Sequence, residues 1–128
     1  HDAILVKSVR VESGTGIKPN AQMTLSVAGE ERSVRTEGDG PVDAIFKAIR
    51  EAFPHAATLQ LFQINAVTEG TDAQATVSVR LEENGRTVTG KASDIDTMAA
   101  AAFAYVNALN KLLVKREKRA PEPLSVAQ

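Results

Sequence analysis

The 128-residue sequence contains no cysteine and no tryptophan, only two histidines, and just 4% aromatic residues. Without cysteine there is no disulfide, no thiol nucleophile and no thiolate metal site, although this alone does not fix the compartment. His1 and His55 form neither a His-x-His nor a Glu-x-x-His spacing, so no metal set is expected. His55, directly after Pro54, reads as a surface loop residue or a helix-end cation. Neither sign of charge dominates: 15 basic against 16 acidic residues leave a formal net charge of -1, too weak a field to draw the chain to nucleic acid or anionic lipid. The one basic run, Lys115-Arg116-Glu117-Lys118-Arg119, is interrupted by an acid and has no aromatic platform beside it. No apolar run is read as a membrane span. The start His1-Asp2-Ala3 has neither a signal-peptide pattern nor an initiator methionine, so the expectation is a piece of a longer cytoplasmic protein.

What is present suits one ordinary core: 43% apolar residues spread over a length sufficient for a single domain. Ile4, Val6, Val9 and Val11 alternate imperfectly, as a strand does, until Ser13-Gly14-Thr15-Gly16 breaks the pattern. Met23, Leu25 and Val27 against Gln22, Thr24 and Ser26 give a strand with one buried face, and Ala28-Gly29-Glu30-Glu31 a hairpin turn. A third strand through Val34 stops at Gly38-Asp39-Gly40. Pro41 then suits a first helical position, where a missing N–H costs nothing; Val42, Ile45, Phe46, Ile49 and Phe53 form one apolar stripe, and Pro54 ends the helix.

The second half repeats this order. Strands are expected near Leu59–Val67 and Ala73–Leu81, then a turn at Glu83-Asn84-Gly85, a strand through Val88, and a long helix from about Asp94 to about Lys115. Asn20–Val27 and Asp72–Val79 match at Ala, Gln, Thr, Ser and the final Val, and Glu30-Glu31 and Glu82-Glu83 keep that offset, which points to a duplication. The expected fold is α+β: two pseudo-symmetric βββα units, about 3–54 and 58–114, with the helices packed together and covered by antiparallel sheets. Ala99 to Ala102 and Ala104 leave room on the second helix for another backbone. Charge and proline in 115–128 predict a mobile tail outside the domain of 1–114.

No catalytic residue is assigned. Ser13–Gly16 and Gly38–Gly40 lack the spacing of phosphate-binding loops. Asp94 and Asp96 admit two readings, a carboxylate pair for acid-base or metal chemistry and helix capping; capping needs fewer assumptions. Asp39 and Asp43 flank the other helix start in the same way. Pseudo-symmetry brings the two starts together, where free N–H groups suit a carboxylate and Asp side chains or loop carbonyls an ammonium group, the two ends of an amino-acid zwitterion.

The segment Gly38-Asp39-Gly40-Pro41-Val42-Asp43-Ala44-Ile45-Phe46-Lys47-Ala48-Ile49 resembles the regulatory domain shared by 2-isopropylmalate synthases and citramalate synthases. Ala66 to Ala75 resembles that domain's second signature, and Asp94 to Asn110 its last helix. The resemblance runs from about Ile4 to Leu113 and lies nearest the bacterial leucine-pathway members. It implies a carboxy-terminal, non-catalytic domain with L-leucine as feedback effector and no cofactor of its own. The catalytic TIM barrel, which condenses acetyl-CoA with 2-oxoisovalerate at a divalent metal, would lie elsewhere in the same chain, and the enzyme would be a homodimer. By motif position the effector pocket falls on Gly38, Gly40, Pro41, Val42 and Asp43, on Leu59, Phe62, Ala66 and Ala73, and on Ser93, Asp94 and Ile95. Phe62 stands where the family often has tyrosine, so a hydroxyl contact there is lost. Two alternatives remain open from the sequence: an isoleucine-binding citramalate synthase domain, and a dimerisation module without ligand.

Overall fold

The computed structural model describes residues 3–69 and 72–119, of which 66–69, 72–73 and 117–119 are described by backbone alone. Eight elements follow in order: β1 (Ile4–Gly14), β2 (Ile17–Val27), β3 (Glu30–Glu37), α1 (Pro41–Ala52), β4 (Thr58–Glu69), β5 (Asp72–Glu83), β6 (Arg86–Asp94) and α2 (Thr97–Arg119). They make two antiparallel sheets, β1-β2-β3 and β4-β5-β6, each followed by its helix. The fold is therefore α+β with two βββα units, as the residue pattern implies.

Both β-hairpins that precede a helix turn on two residues with positive φ, Ala28 and Gly29 in one and Asn84 and Gly85 in the other. Such turns match the twist of the strands they join. Glu30 and Glu31 therefore belong to β3 rather than to the turn. In β1 the imperfect alternation has a cause: a bulge at Lys7, between the pairs Val6–Leu25 and Ser8–Thr24, resets the parity. Ile4, Val6, Val9 and Val11 then all reach the core.

The true equivalence between the units differs from the one the eight-residue match suggests. Buried Ala21, Met23 and Leu25 occupy the places of buried Val77, Val79 and Leu81, in line with the matching turns Gly29 and Gly85 and the helix starts Pro41 and Thr97. On this register Val27 corresponds to Glu83, four residues beyond Val79. An even slip keeps every side chain on its own face, so a period-two pattern cannot distinguish the two registers.

α1 lies on β2 and β3; α2 lies on β5 and β6 and also reaches across to β1. The helices touch each other, with Phe46 and Tyr105 rings 4.4 Å apart. The core is continuous between the sheets: Ala44, Ile45, Ala48, Ile49 and Ala52 from α1 meet an alanine-rich α2, where Ala100, Ala101, Ala102, Ala104 and Ala108 are all buried. The small residues of α2 are thus packing surfaces. A Cβ on Gly90 would collide with the backbone of Ala104 and Ala108, so α2 rests directly on the β6 backbone. Asn110, buried on α2, accepts from Ile4 N–H at 2.9 Å and donates to Ile4 C=O at 2.8 Å, tying the first strand to the last helix. A buried amide is tolerated because both of these groups are paired.

Two expectations change. α2 starts at Thr97 and continues to Arg119, so residues 115–119 are helical; Lys, Arg and Glu are good helix formers, and Arg116 pairs with Glu83. Residues 120–128 of the expected tail lie outside the described residues. Thr97–Arg116 is also long and apolar enough by composition to cross a membrane, at mean hydropathy 1.2, but 56% of that window is buried inside this domain. Alternating polar residues such as Asn107 and Lys111 hide that hydropathy in a residue-by-residue reading.

Candidate functional site at the start of the first helix

The two helix starts are built differently. At α2, Asp96 Oδ1 accepts the N–H of Met98 at 2.9 Å and Asp94 Oδ1 accepts that of Asp96 at 2.9 Å, so both carboxylates serve the backbone. Capping is the role the structure gives them. At α1 the N-cap is Gly40, extended at φ -163 and without a side-chain cap. The first intrahelical bond runs from Ala44 N–H to Gly40 C=O at 2.9 Å, and among the described residues neither Val42 N–H nor Asp43 N–H has an acceptor. An uncapped start with open amides carries partial positive charge.

The loop before α1 is rigid. Gly38 donates to Pro19 C=O at 3.0 Å, and a Cβ on it would press into Ala44 and Asp43. Asp39 N–H donates to Asp43 Oδ2 at 2.8 Å, and Lys47 Nζ lies 3.3 Å from the same oxygen. The hydrogen bond from Asp39, helped by Lys47, holds the Asp43 carboxyl below its ordinary range and keeps it ionised. Gly40 differs from Gly38: a Cβ there meets nothing within 4 Å.

Open space lies on two sides of this start. On one side an open cavity of about 450 Å³ is lined by Val9, Val11 and Ser13 of β1, Pro41 of α1, and Asp96 and Met98 at the start of α2. The two helix starts therefore share one cavity wall. On the other side a smaller cavity of about 190 Å³ is lined by Asp43, Phe46, Lys47 and Arg50 of α1, Leu59 of β4 and Tyr105 of α2. Phe62 stands beside it, edge-on to Phe46 with centroids 5.6 Å apart.

This second opening has a structural reason. Leu59, Phe62 and Ile64 pair with buried Leu81, Val79 and Val77, so they face inward. In the first sheet the corresponding strand β1 is covered by α2, whereas α1, with 12 residues against 23, meets β4 where Phe46 packs on Phe62. Leu59 and Ile64 are each left 44% exposed, and no residue of 58–65 is fully buried.

The residues picked from the sequence are thus partly gathered. Gly38, Gly40, Pro41, Val42 and Asp43 form the α1 start, with Leu59 and Phe62 beside it. Ala66 lies on β4 opposite Ala75, and Ala73 lies on β5 opposite Thr68; the side chains of Ala66 and Ala73 are outside the described residues. Ser93 turns away: its hydroxyl is 2.8 Å from Thr76 Oγ1 on the exposed face of the second sheet. Asp94 is engaged by Asp96, and Ile95 is 71% exposed and lines neither cavity. Lys47, Arg50 and Tyr105 were missed, as was the role of Phe46, which reads as one more member of an apolar stripe. No local signal marks Tyr105, since only the packing of α2 against α1 brings it to the cavity. Among the described residues no three His, Asp or Glu side chains converge as a metal set would.

Residues 1–113 match the model of the LeuA allosteric (dimerisation) domain. The chain is 56% identical over 121 residues to a 2-isopropylmalate synthase of Caulobacter sp. (strain K31), covering 94% of this chain and 23% of the relative. It is 54% identical over 121 residues to one of Caulobacter vibrioides (strain NA1000 / CB15N), with the same coverage of 94% and 23%. A third relative, the 2-isopropylmalate synthase of Rhodopseudomonas palustris (strain BisB18), is 50% identical over 127 residues, 99% of this chain and 24% of the relative. The chain spans less than a quarter of the length of these relatives, and it belongs to the family of LeuA allosteric (dimerisation) domains.

Proposed function

We propose that this chain is the regulatory domain of a 2-isopropylmalate synthase and binds L-leucine as feedback inhibitor at the start of α1. The observation that carries the reading is the pairing of an uncapped helix start with an uncovered apolar strip on β4. A leucine carboxylate placed at Val42 N–H and Asp43 N–H supplies the cap that Gly40 lacks. The ionised Asp43 is close enough to the same start to attract the ammonium group, and Leu59, Phe62 and Phe46 offer apolar surface to the isobutyl side chain. Ser93, Asp94 and Ile95 enter this reading only through the β6–α2 connection, and Ala66 and Ala73 as the continuation of the strip along β4 and β5.

In this reading the remaining part of the enzyme is a cytoplasmic TIM barrel that condenses acetyl-CoA with 2-oxoisovalerate at a divalent metal, and the enzyme is a homodimer. Inhibition then requires that leucine prefer one arrangement of the assembly, with a coupling free energy on the order of 1–3 kcal/mol.

Calorimetry of the chain with leucine, isoleucine and valine tests the reading, with leucine expected to bind tightest. Preference for isoleucine shifts the assignment to a citramalate-synthase type of domain, and a folded dimer that binds none of the three is a dimerisation module. Gly40→Val is expected to abolish binding with the fold intact, because the position is extended and a Cβ there meets open space. Unchanged affinity in that variant removes the α1 start from the site.

A further inference from the structure

We propose that Tyr105 is the end wall that decides which amino-acid side chain fits the cavity beside α1, and that His55 is the positioning residue that holds it there. The inference rests on the reading of this region as an amino-acid site, and adds to it the basis of side-chain selection.

Six of the described residues line the cavity, and they differ in exposure. Lys47, Arg50 and Leu59 are exposed, Asp43 and Phe46 are half-buried, and Tyr105 is 1% exposed. Charge therefore rings the mouth, and Tyr105, the buried member among these described residues, closes the far end. Its ring is fixed on one side by Phe46, at 4.4 Å between centroids, which is itself braced edge-on by Phe62. A wall made of packed aromatic rings sets a definite depth, because neither ring can turn without losing its neighbour.

The hydroxyl end is fixed by His55. Ala57 N–H donates to His55 Nδ1 at 3.2 Å, so Nδ1 carries no proton in this geometry. The proton of the neutral ring must then sit on Nε2, which lies 3.2 Å from Tyr105 Oη and donates to it. Burial disfavours the charged imidazolium and pushes the His55 pKa down to about 4, so the ring stays neutral at neutral pH, and the Ala57 N–H selects the tautomer. The residue that follows the α1 terminator thus reaches across 50 positions of sequence to lock a ring of the second helix.

The test is the ratio of leucine to phenylalanine affinity, measured by calorimetry on the chain and its variants, with thermal melts to confirm folding. Tyr105→Leu shortens the wall, so the ratio is expected to move towards phenylalanine by about tenfold or more. His55→Leu releases the ring and should move the ratio the same way by a smaller factor, about threefold. His55→Gln, which keeps an N–H donor at a similar reach, should restore the parent ratio. A purely structural role would weaken both ligands equally and leave the ratio fixed. Should Tyr105→Leu fail to fold, the two His55 variants decide the matter. Equal ratios in parent and His55→Leu, or an unchanged ratio in folded Tyr105→Leu, overturn the inference while leaving the leucine site standing; a parent chain that binds neither amino acid overturns both.

Discussion

The two βββα units share strand order, turn type and helix placement, yet the first helix leaves surfaces open where the second closes them. α2 is long enough to cover its own sheet and the β1 strand of the other, and its start is capped by its own carboxylates. α1 covers only its own sheet, and its start is a glycine with nothing to offer the free amides. A duplicated unit can therefore place stability in one copy and an opening in the other. Core and site come from the same architecture with different helix lengths and different capping residues.

The largest expected effect tests how closely α2 is seated. Gly90→Val should cost about 4 kcal/mol or more in urea denaturation, or prevent folding, since the new side chain meets helix backbone that has no room to retreat. Val34 occupies the corresponding place in β3, opposite Met23 as Gly90 is opposite Val79, and is only half-buried. Val34→Ala should cost only about 1 kcal/mol. Equal costs would mean that the helices sit on their sheets in the same way.

A smaller effect tests the seam between the units. The unfolded chain protonates His55 below its ordinary value of 6.5, whereas the folded chain does so only near 4. Stability is therefore complete above 6.5 and declines as pH falls through that window, by on the order of 1 kcal/mol after allowance for solvent screening. Urea midpoints against pH for the parent and His55→Gln should converge towards pH 4. Parallel curves would show that His55 is not buried in solution.

The smallest effect addresses the helix starts directly. Asp96→Ala should cost about 1 kcal/mol through loss of the Met98 cap. Gly40→Ala removes no cap bond and should stay within about 0.5 kcal/mol. A cost at Gly40 as large as at Asp96 would break the contrast on which the proposed site depends.

Much of the fold was legible because apolar spacing reports which face is buried. Met23 and Leu25, or Ile45 and Ile49, announce their elements by period alone. Capping by Asp96 was legible too, since a carboxylate before a helix has a short-range partner. The repeat was visible, but its register was not, because a four-residue slip preserves the alternation. Within the candidate site, Pro41 and Asp43 were legible from a local motif, as was Phe62 beside them. Ser93 was drawn in by proximity in sequence, yet strand parity turns its hydroxyl to Thr76 on the outer face.

The sequence by itself determined the elements and their order and the two hairpin turns, since each depends on residues a few positions apart; the Asp39 and Asp43 it offered as caps for α1 leave that start uncapped in the structure. Tertiary structure alone decided that α1 stops short of β4, that Tyr105 closes the cavity with His55 behind it, and that Asn110 holds Ile4. Those outcomes depend on how two rigid helices of unequal length pack between two sheets. Contacts between residues distant along the chain leave no periodic mark in it.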